Sequence, residues 1–180
     1  MKKVLLSAVA LLAFGFANAQ DSKGGSTDMK FGVKAGYSST NFTGDADTDA
    51  RGGFYIGGLV DFAVSEKFHV QPELMYSTEG AADDLGVDYL RIPVMAKYYV
   101  AEGFSLQAGP EIAFKIAAED DFTDEAVKSM DFGLGFGAGY ELASGLMFDA
   151  RYNLGLSNIS DIDGADFGNA GFQIGLGYRF

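Results

Sequence analysis

From Gly171 to the carboxyl terminus the chain alternates without interruption. Phe172, Ile174, Leu176, Tyr178 and Phe180 are large and apolar, and Gly171, Gln173, Gly175, Gly177 and Arg179 between them are small or polar. A period of two puts successive side chains on opposite faces of a β-strand. Here one face is aromatic-rich and the other polar, as in a strand with lipid on one side and a polar interior on the other. The same alternation predicts strands near 29–38, 53–63, 68–77, 89–100, 104–115, 130–141, 145–156 and 169–180. Each is close to the ~9–11 residues of a tilted membrane-spanning strand.

The connections alternate in length. Residues 64–67, 101–103 and 142–144 form tight turns, whereas 39–52, 78–88, 116–129 and 157–168 are long. Short turns on one side and long loops on the other is the arrangement of barrels with periplasmic turns and extracellular loops. The pattern therefore predicts an all-β fold, an eight-stranded antiparallel transmembrane up-and-down β-barrel, with both termini in the periplasm. The outward positions (Phe54, Ile56, Val60 and Phe62; Leu90, Ile92, Val94 and Tyr98; Leu146, Phe148, Tyr152 and Leu154) carry no charge, and aromatics gather at both ends of that face. A soluble barrel of the lipocalin kind would have the opposite polarity, apolar inside and polar outside.

The inward positions carry the charges: Lys30, Lys34, Arg91, Lys97, Lys115, Arg151 and Arg179 against Asp61, Glu73, Glu111, Asp131, Glu141 and Asp149. Eight strands enclose an interior only wide enough for side chains, so these charges must pair or be hydrated. Lys34, Asp61, Glu73, Arg91, Lys97, Glu111, Asp149 and Arg151 are the expected structural ion-pair network, with Glu73, Glu111 and Asp149 set against Arg91, Lys97 and Arg151. The turn at 142–144 suggests a register that sets Asp149 opposite Gly137 and Arg151 opposite Gly135, with Gly133, Gly135, Gly137 and Gly139 making room for long polar side chains. Pro72, Pro93 and Pro110 fall inside predicted strands, where a missing ladder donor calls for bulges.

The amino terminus adds a destination. Met1-Lys2-Lys3 is a basic start, Val4 to Phe16 is apolar, and Ala17-Asn18-Ala19 is a small-x-small cleavage site, so residues 1–19 read as a signal peptide. The apolar run is shorter than the ~20 residues of a spanning helix, and no cysteine follows for a lipid anchor. Residues 20–28 read as a short periplasmic segment and 29–180 as the barrel. The expected location is the outer membrane of a Gram-negative bacterium after cleavage. A formal charge of −12, more negative once Lys2 and Lys3 are lost, argues against nucleic acid and anionic membrane surfaces as partners.

Most chemical motifs lose their meaning in this setting. The run from Gly133 to Gly139 has strict period two and no helix behind it, unlike a dinucleotide loop. His69 is the only histidine; it faces inward near Asp61 and reads as a lumen hydrogen-bond partner rather than the base of a lipid-modifying enzyme. With no cysteine and one histidine, the usual thiolate and imidazole metal sites are excluded. No cofactor is expected. The long connections are strongly acidic: Asp45, Asp47 and Asp49; Glu79, Asp83, Asp84 and Asp88; Glu119, Asp120, Asp121, Asp124 and Glu125; Asp161, Asp163 and Asp166, opposed only by Arg51 and Lys128. Solvated charge that aids export accounts for them; binding of a divalent cation or of a basic extracellular partner are the alternatives. Asp161-x-Asp163-Gly164 lacks the first ligand and the closing Glu of a calcium loop.

Several stretches resemble the outer-membrane β-barrel family common in Bacteroidetes and often labelled "porin family", itself similar to OmpA/OmpX-type barrels. They are Gln71-Pro72-Glu73-Leu74, Leu90-Arg91-Ile92-Pro93-Val94 running to Lys97-Tyr98-Tyr99, Ala108-Gly109-Pro110, Asp131 through Gly137, and Arg151-Tyr152-Asn153-Leu154-Gly155-Leu156. The resemblance implies fold and location and carries over no catalytic residue. The expected role is structural or surface interaction, without enzymatic activity, among outer-membrane lipids and the barrel assembly machinery. A small diffusion channel and an outer-membrane lipid-modifying enzyme are the rivals.

Tyr178 and Phe180 read as a carboxyl-terminal assembly signal, because the last strand must close the sheet. Deleting Phe180 is expected to lower the amount of heat-modifiable, folded barrel in outer-membrane fractions; normal yield would contradict this.

Overall fold

The computed structural model describes residues 28–44, 50–81, 85–118, 128–157 and 167–180. Within them the chain forms eight strands: β1 Asp28–Gly44, β2 Arg51–Ala63, β3 Phe68–Ala81, β4 Leu85–Ala101, β5 Phe104–Ala118, β6 Met130–Glu141, β7 Leu146–Gly155 and β8 Phe167–Arg179. Each pairs antiparallel with its neighbour in sequence, and β8 returns to β1, closing the barrel. The predicted signal peptide and residues 20–27 lie outside the described residues.

Alternation settles which way each strand faces. Val33, Tyr37, Phe54, Ile56, Val94, Tyr98, Leu106, Phe136, Phe172 and Ile174 are exposed on the outer wall, while Lys34, Asp61, Glu73, Arg91, Lys97, Glu111 and Arg151 are buried in the lumen. Aromatics ring the tight-turn end, where Phe104 opposes Tyr140 and Tyr140 opposes Phe148. The buried set is more polar than apolar, as expected when the apolar side chains are turned outward. The ring of Tyr55 lies along the inner wall over the backbone of β1 and β8: a Cβ added at Gly175 would sit 1.9 Å from its hydroxyl, and one at Gly36 2.7 Å from its Cζ. Only glycine admits the ring there.

The strands are longer than the apolar pattern suggests. β1 continues through Gly44, β3 and β4 pair as far as Ala81 and Leu85, and β5 reaches Ala118, so much of 39–52 and 78–88, and the start of 116–129, is strand rather than loop. Backbone pairing does not require apolar side chains once the wall rises past the apolar band. Ser39, Asn41 and Thr43 continue the outward alternation with polar groups. Asp88 thereby joins the outer face at the rim, where the Tyr76 hydroxyl donates to it at 2.8 Å.

Two further expectations need correction. The turn after β6 is wider than 142–144. The Leu142 N–H reaches the Leu146 carbonyl at 2.8 Å, and Gly145 takes a left-handed conformation at φ 89. Glu141 consequently pairs with Met147, which sets Arg151 opposite Gly137 and Asp149 opposite Gly139, two residues from the expected register. The prolines also produce no bulges. The register slips only near the ends of the β4–β5 ladder, between Asp88 and Tyr89 and between Tyr99 and Ala101. At each proline rungs are lost but the count across the gap is kept, because a missing N–H removes a bond without inserting a residue.

Leu134 faces outward and pairs with Pro110 and Leu154 in the interior of the wall. Leu134→Arg is expected to cost about 2–4 kcal/mol at this depth, and Gln107→Arg, on the lumen side, to be less uniformly harmful. Equal tolerance in a refolding titration would show the facing assignment to be wrong.

Candidate functional site

The lumen holds the chain's chemistry, stacked in three layers along the axis. Period-two alternation delivers one polar side chain per rung from each wall, and glycines leave the room these side chains occupy. A Cβ at Gly133 would meet Glu111 Oε1 at 3.0 Å, one at Gly135 Asn153 Oδ1 at 3.0 Å, and one at Gly139 Gln107 Nε2 at 3.1 Å.

In the layer nearest the tight turns, Asp61 of β2 faces three basic side chains. His69 Nδ1 lies 2.5 Å from it, Arg179 Nη1 3.2 Å and Lys97 Nζ 3.5 Å. Arg179 also pairs with Glu141, to which the Tyr99 hydroxyl donates at 3.1 Å. The His69 ring meets the edge of Tyr99 at 4.8 Å. His69 is thus held from two sides by lumen groups.

The middle layer is built on Glu73 of β3. Arg151 of β7 reaches it with both terminal nitrogens, at 2.8 and 3.0 Å, a fork-to-fork pair spanning the barrel between opposite walls. Lys34 Nζ stands 3.7 Å from Glu73 and 2.9 Å from Asp149. Gln71 donates to Glu73 at 2.8 Å, and Arg151 donates to Gln107 at 3.0 Å. Arg151 is only 2% exposed and the Glu73 carboxylate is fully enclosed.

In the layer toward the long loops, Arg91 of β4 sits between two carboxylates. It pairs with Glu79 of β3 through Nε and Nη2, and with Glu111 of β5 at 2.7 Å. Ser77 and Asn169 also donate to Glu79, at 2.6 and 2.5 Å. Asp131 accepts from Ser157 at 3.1 Å.

All eight residues expected in the network are inside the lumen and each touches an oppositely charged group, but two pairings differ from expectation. Asp149 meets Lys34 rather than Arg91, Lys97 or Arg151, and Lys97 meets Asp61 rather than a member of the Glu73, Glu111 and Asp149 set. The altered β6–β7 register displaces Asp149 by two residues relative to β6. Its sequence neighbourhood places Glu79 in an acidic loop, yet it is 1% exposed and the main partner of Arg91. A signal for it was present: Gln71, Glu73, Met75, Ser77 and Glu79 continue one inward alternation. Tyr178 and Phe180 stack edge to face at 5.4 Å on the outer wall.

Little space is left beside the middle layer. Two lumen cavities measure about 20 and 10 Å³, the first lined by Lys34, Gln71, Lys97 and Gln107 and the second by Glu73, Arg91, Glu111 and Arg151. Each has the capacity of roughly one water molecule. Among the described residues no group of three or more histidines or carboxylates is placed to hold a metal ion. Most of the acidic loop residues, and Asp161-x-Asp163-Gly164, lie outside the described residues.

A closed barrel with a charge-free wall in the interior of its strands and a paired polar lumen agrees with what family comparison finds. Residues 18–161 match the model of the outer membrane protein beta-barrel domain. The chain belongs to that family. No curated protein matches the chain. Among solved structures, this barrel is similar to Neisserial surface protein A, at 12% identity and a TM-score of 0.55, over 88% of this chain and 100% of that one. It is also similar to Ail, the attachment invasion locus protein of Yersinia pestis in complex with the heparin analogue sucrose octasulfate. There the identity is 18% and the TM-score 0.51, over 84% of this chain and 99% of that one. The outer membrane protein AlkL matches at 12% identity and a TM-score of 0.51, over 91% and 95% of the two chains. At these identities the likeness is one of fold.

The placement of Glu79 can be checked directly. Glu79→Ala is expected to destabilise the refolded barrel by about 3–5 kcal/mol by stranding part of the Arg91 charge. Asp88→Ala, at the rim, is expected to change stability by no more than about 1 kcal/mol. Similar melts for the two variants would return Glu79 to the solvated loops.

Proposed function

We propose that this outer-membrane barrel is a plugged, non-enzymatic scaffold that serves a structural or surface-interaction role. The observation that carries the reading is the middle layer: Arg151 and Glu73 bridge opposite walls, Lys34 and Gln107 fill the remaining width, and the adjoining cavities hold about one water each. A diffusion channel needs a continuous water path, and a paired core of this kind opposes one. An outer-membrane enzyme needs a free base beside a nucleophile, whereas His69 is engaged by Asp61 and packed on Tyr99. With the interior committed to structure, the surfaces left for interaction are the lipid-facing wall and the acidic long-loop end. Outer-membrane lipids and the barrel assembly machinery are the partners of the first. A divalent cation or a basic extracellular partner fits the second. The tight turns and both termini lie in the periplasm in this reading, after removal of residues 1–19 as a signal peptide.

The test joins conductance to stability. Purified, refolded wild type is expected to show near-zero conductance in planar bilayers. Arg151→Ala is expected to lose about 3–5 kcal/mol of stability, because Glu73 is left enclosed with a weakened counter-charge. Steady channels of ordinary porin size together with an unchanged Arg151→Ala melt would replace this reading with the diffusion channel.

A further inference from the structure

The three prolines interrupt the barrel wall in one connected place. Between β2 and β3 the rungs Val60/Pro72 and Asp61/Gln71 are missing, while Leu59/Glu73 and Phe62/Val70 on either side remain paired. Between β3 and β4 the missing rungs are Glu73/Pro93 and Leu74/Ile92. Between β4 and β5 they are Val94/Pro110 and Met95/Gly109. In every case the loss is toward the preceding strand only: Pro72 still pairs with Val94, Pro93 with Glu111 and Pro110 with Leu134. One absent N–H accounts for each gap, since a single antiparallel bond closes both the rung it lies in and the rung beside it. The carbonyls that lose their donor are those of Val60, Glu73 and Val94. The Val94 carbonyl is turned onto Gly109, where an added Cβ would come within 2.0 Å of it.

These gaps fall on adjacent rungs of four successive strands. The remaining ladders, β5–β6, β6–β7, β7–β8, β8–β1 and β1–β2, are unbroken over their paired lengths. The barrel therefore has one fully bonded wall and one wall crossed by a seam. Within a bilayer a lost backbone bond has no water to replace it, so the seam is the weakest part of the wall. The lumen pairs reach across to it. Glu73, whose own carbonyl is on the seam, is held by Arg151 of β7; Asp61, on a missing rung, is held by Arg179 of β8. Both cations stand on the fully bonded wall.

We propose that the proline seam is a built-in site of local opening in the β2–β5 wall, and that the Glu73–Arg151 and Asp61–Arg179 pairs are braces that hold it shut. The ionic core then does more than fill the lumen: it supplies, from side chains, closure that the seam's backbone lacks. Opening is local because the register is kept on both sides of every gap, so the strands part and re-form without slipping.

Residue-resolved amide exchange on the refolded barrel in lipid nanodiscs tests this. The amides of Val60, Glu73 and Val94 are expected to exchange roughly tenfold or more faster than those of Phe136, Ala150 and Ile174, which lie at similar distances from the tight-turn end. Pro93→Ala restores an N–H toward Glu73 and is expected to slow exchange at Glu73 severalfold. Arg151→Ala is expected to speed exchange at the seam more than in β6–β8. Equal protection of the two walls in the wild type, or Pro93→Ala leaving Glu73 exchange unchanged, would overturn the seam. A uniform rise across all strands in Arg151→Ala would overturn the bracing. The wild-type and Pro93→Ala comparisons decide the seam even where Arg151→Ala fails to refold.

Discussion

The pair between Arg151 and Glu73 is the interaction on which the interior depends. It is bidentate, enclosed, and joins β7 to β3 across the full width of the barrel. A buried ion pair of this kind contributes little net stability relative to an apolar filling of the same shape, since both charges lose their water. Its consequence here is geometric. Once Glu73 and Arg151 face each other, Lys34 is drawn between Glu73 and Asp149, and Gln71 and Gln107 take up the remaining hydrogen-bonding positions. The layers above and below repeat the device with Arg91 between two carboxylates and Asp61 among three basic groups.

The outer wall answers to a different requirement. Strands that face lipid must bond their backbone to one another, and the closed order from β1 to β8 leaves no edge. Among the described residues the ladders between the strand ends meet this demand except beside Pro72, Pro93 and Pro110, and the interior compensates with side-chain pairs anchored on the intact strands. Wall and lumen are therefore coupled: a change in a lumen charge is felt in the backbone of the opposite wall, and a change in a wall proline alters how much the lumen pairs must hold.

Function follows from where chemistry is spent. Most of the buried charges are committed to one another, the cavities beside the middle layer are water-sized, and His69 is engaged on two sides. What is left for recognition is surface: an apolar wall with aromatics at its ends and an acidic long-loop end. This distribution supports an outer-membrane scaffold more than a channel or a catalyst.

Much of this was legible in the chain itself. Period-two alternation determined the strand count, the facing of each side chain and the identity of the lumen charges, because a strand has only two faces and lipid accepts only one kind of side chain. The apolar pattern failed to mark the strand ends, where pairing of β3 with β4 outlasts it and the inward alternation carries Glu79 into the lumen. It also failed at the turn after β6, where Gly145 widens the connection and moves Arg151 opposite Gly137. Partner choice was only partly within its reach: Glu73 and Glu111 meet Arg151 and Arg91, but Asp149 takes Lys34 and Lys97 takes Asp61, from strands remote in sequence. Alternation is a local property and fixes only the face a residue occupies. Which charge meets which depends on register and curvature accumulated around eight strands, and that exists only in the closed barrel.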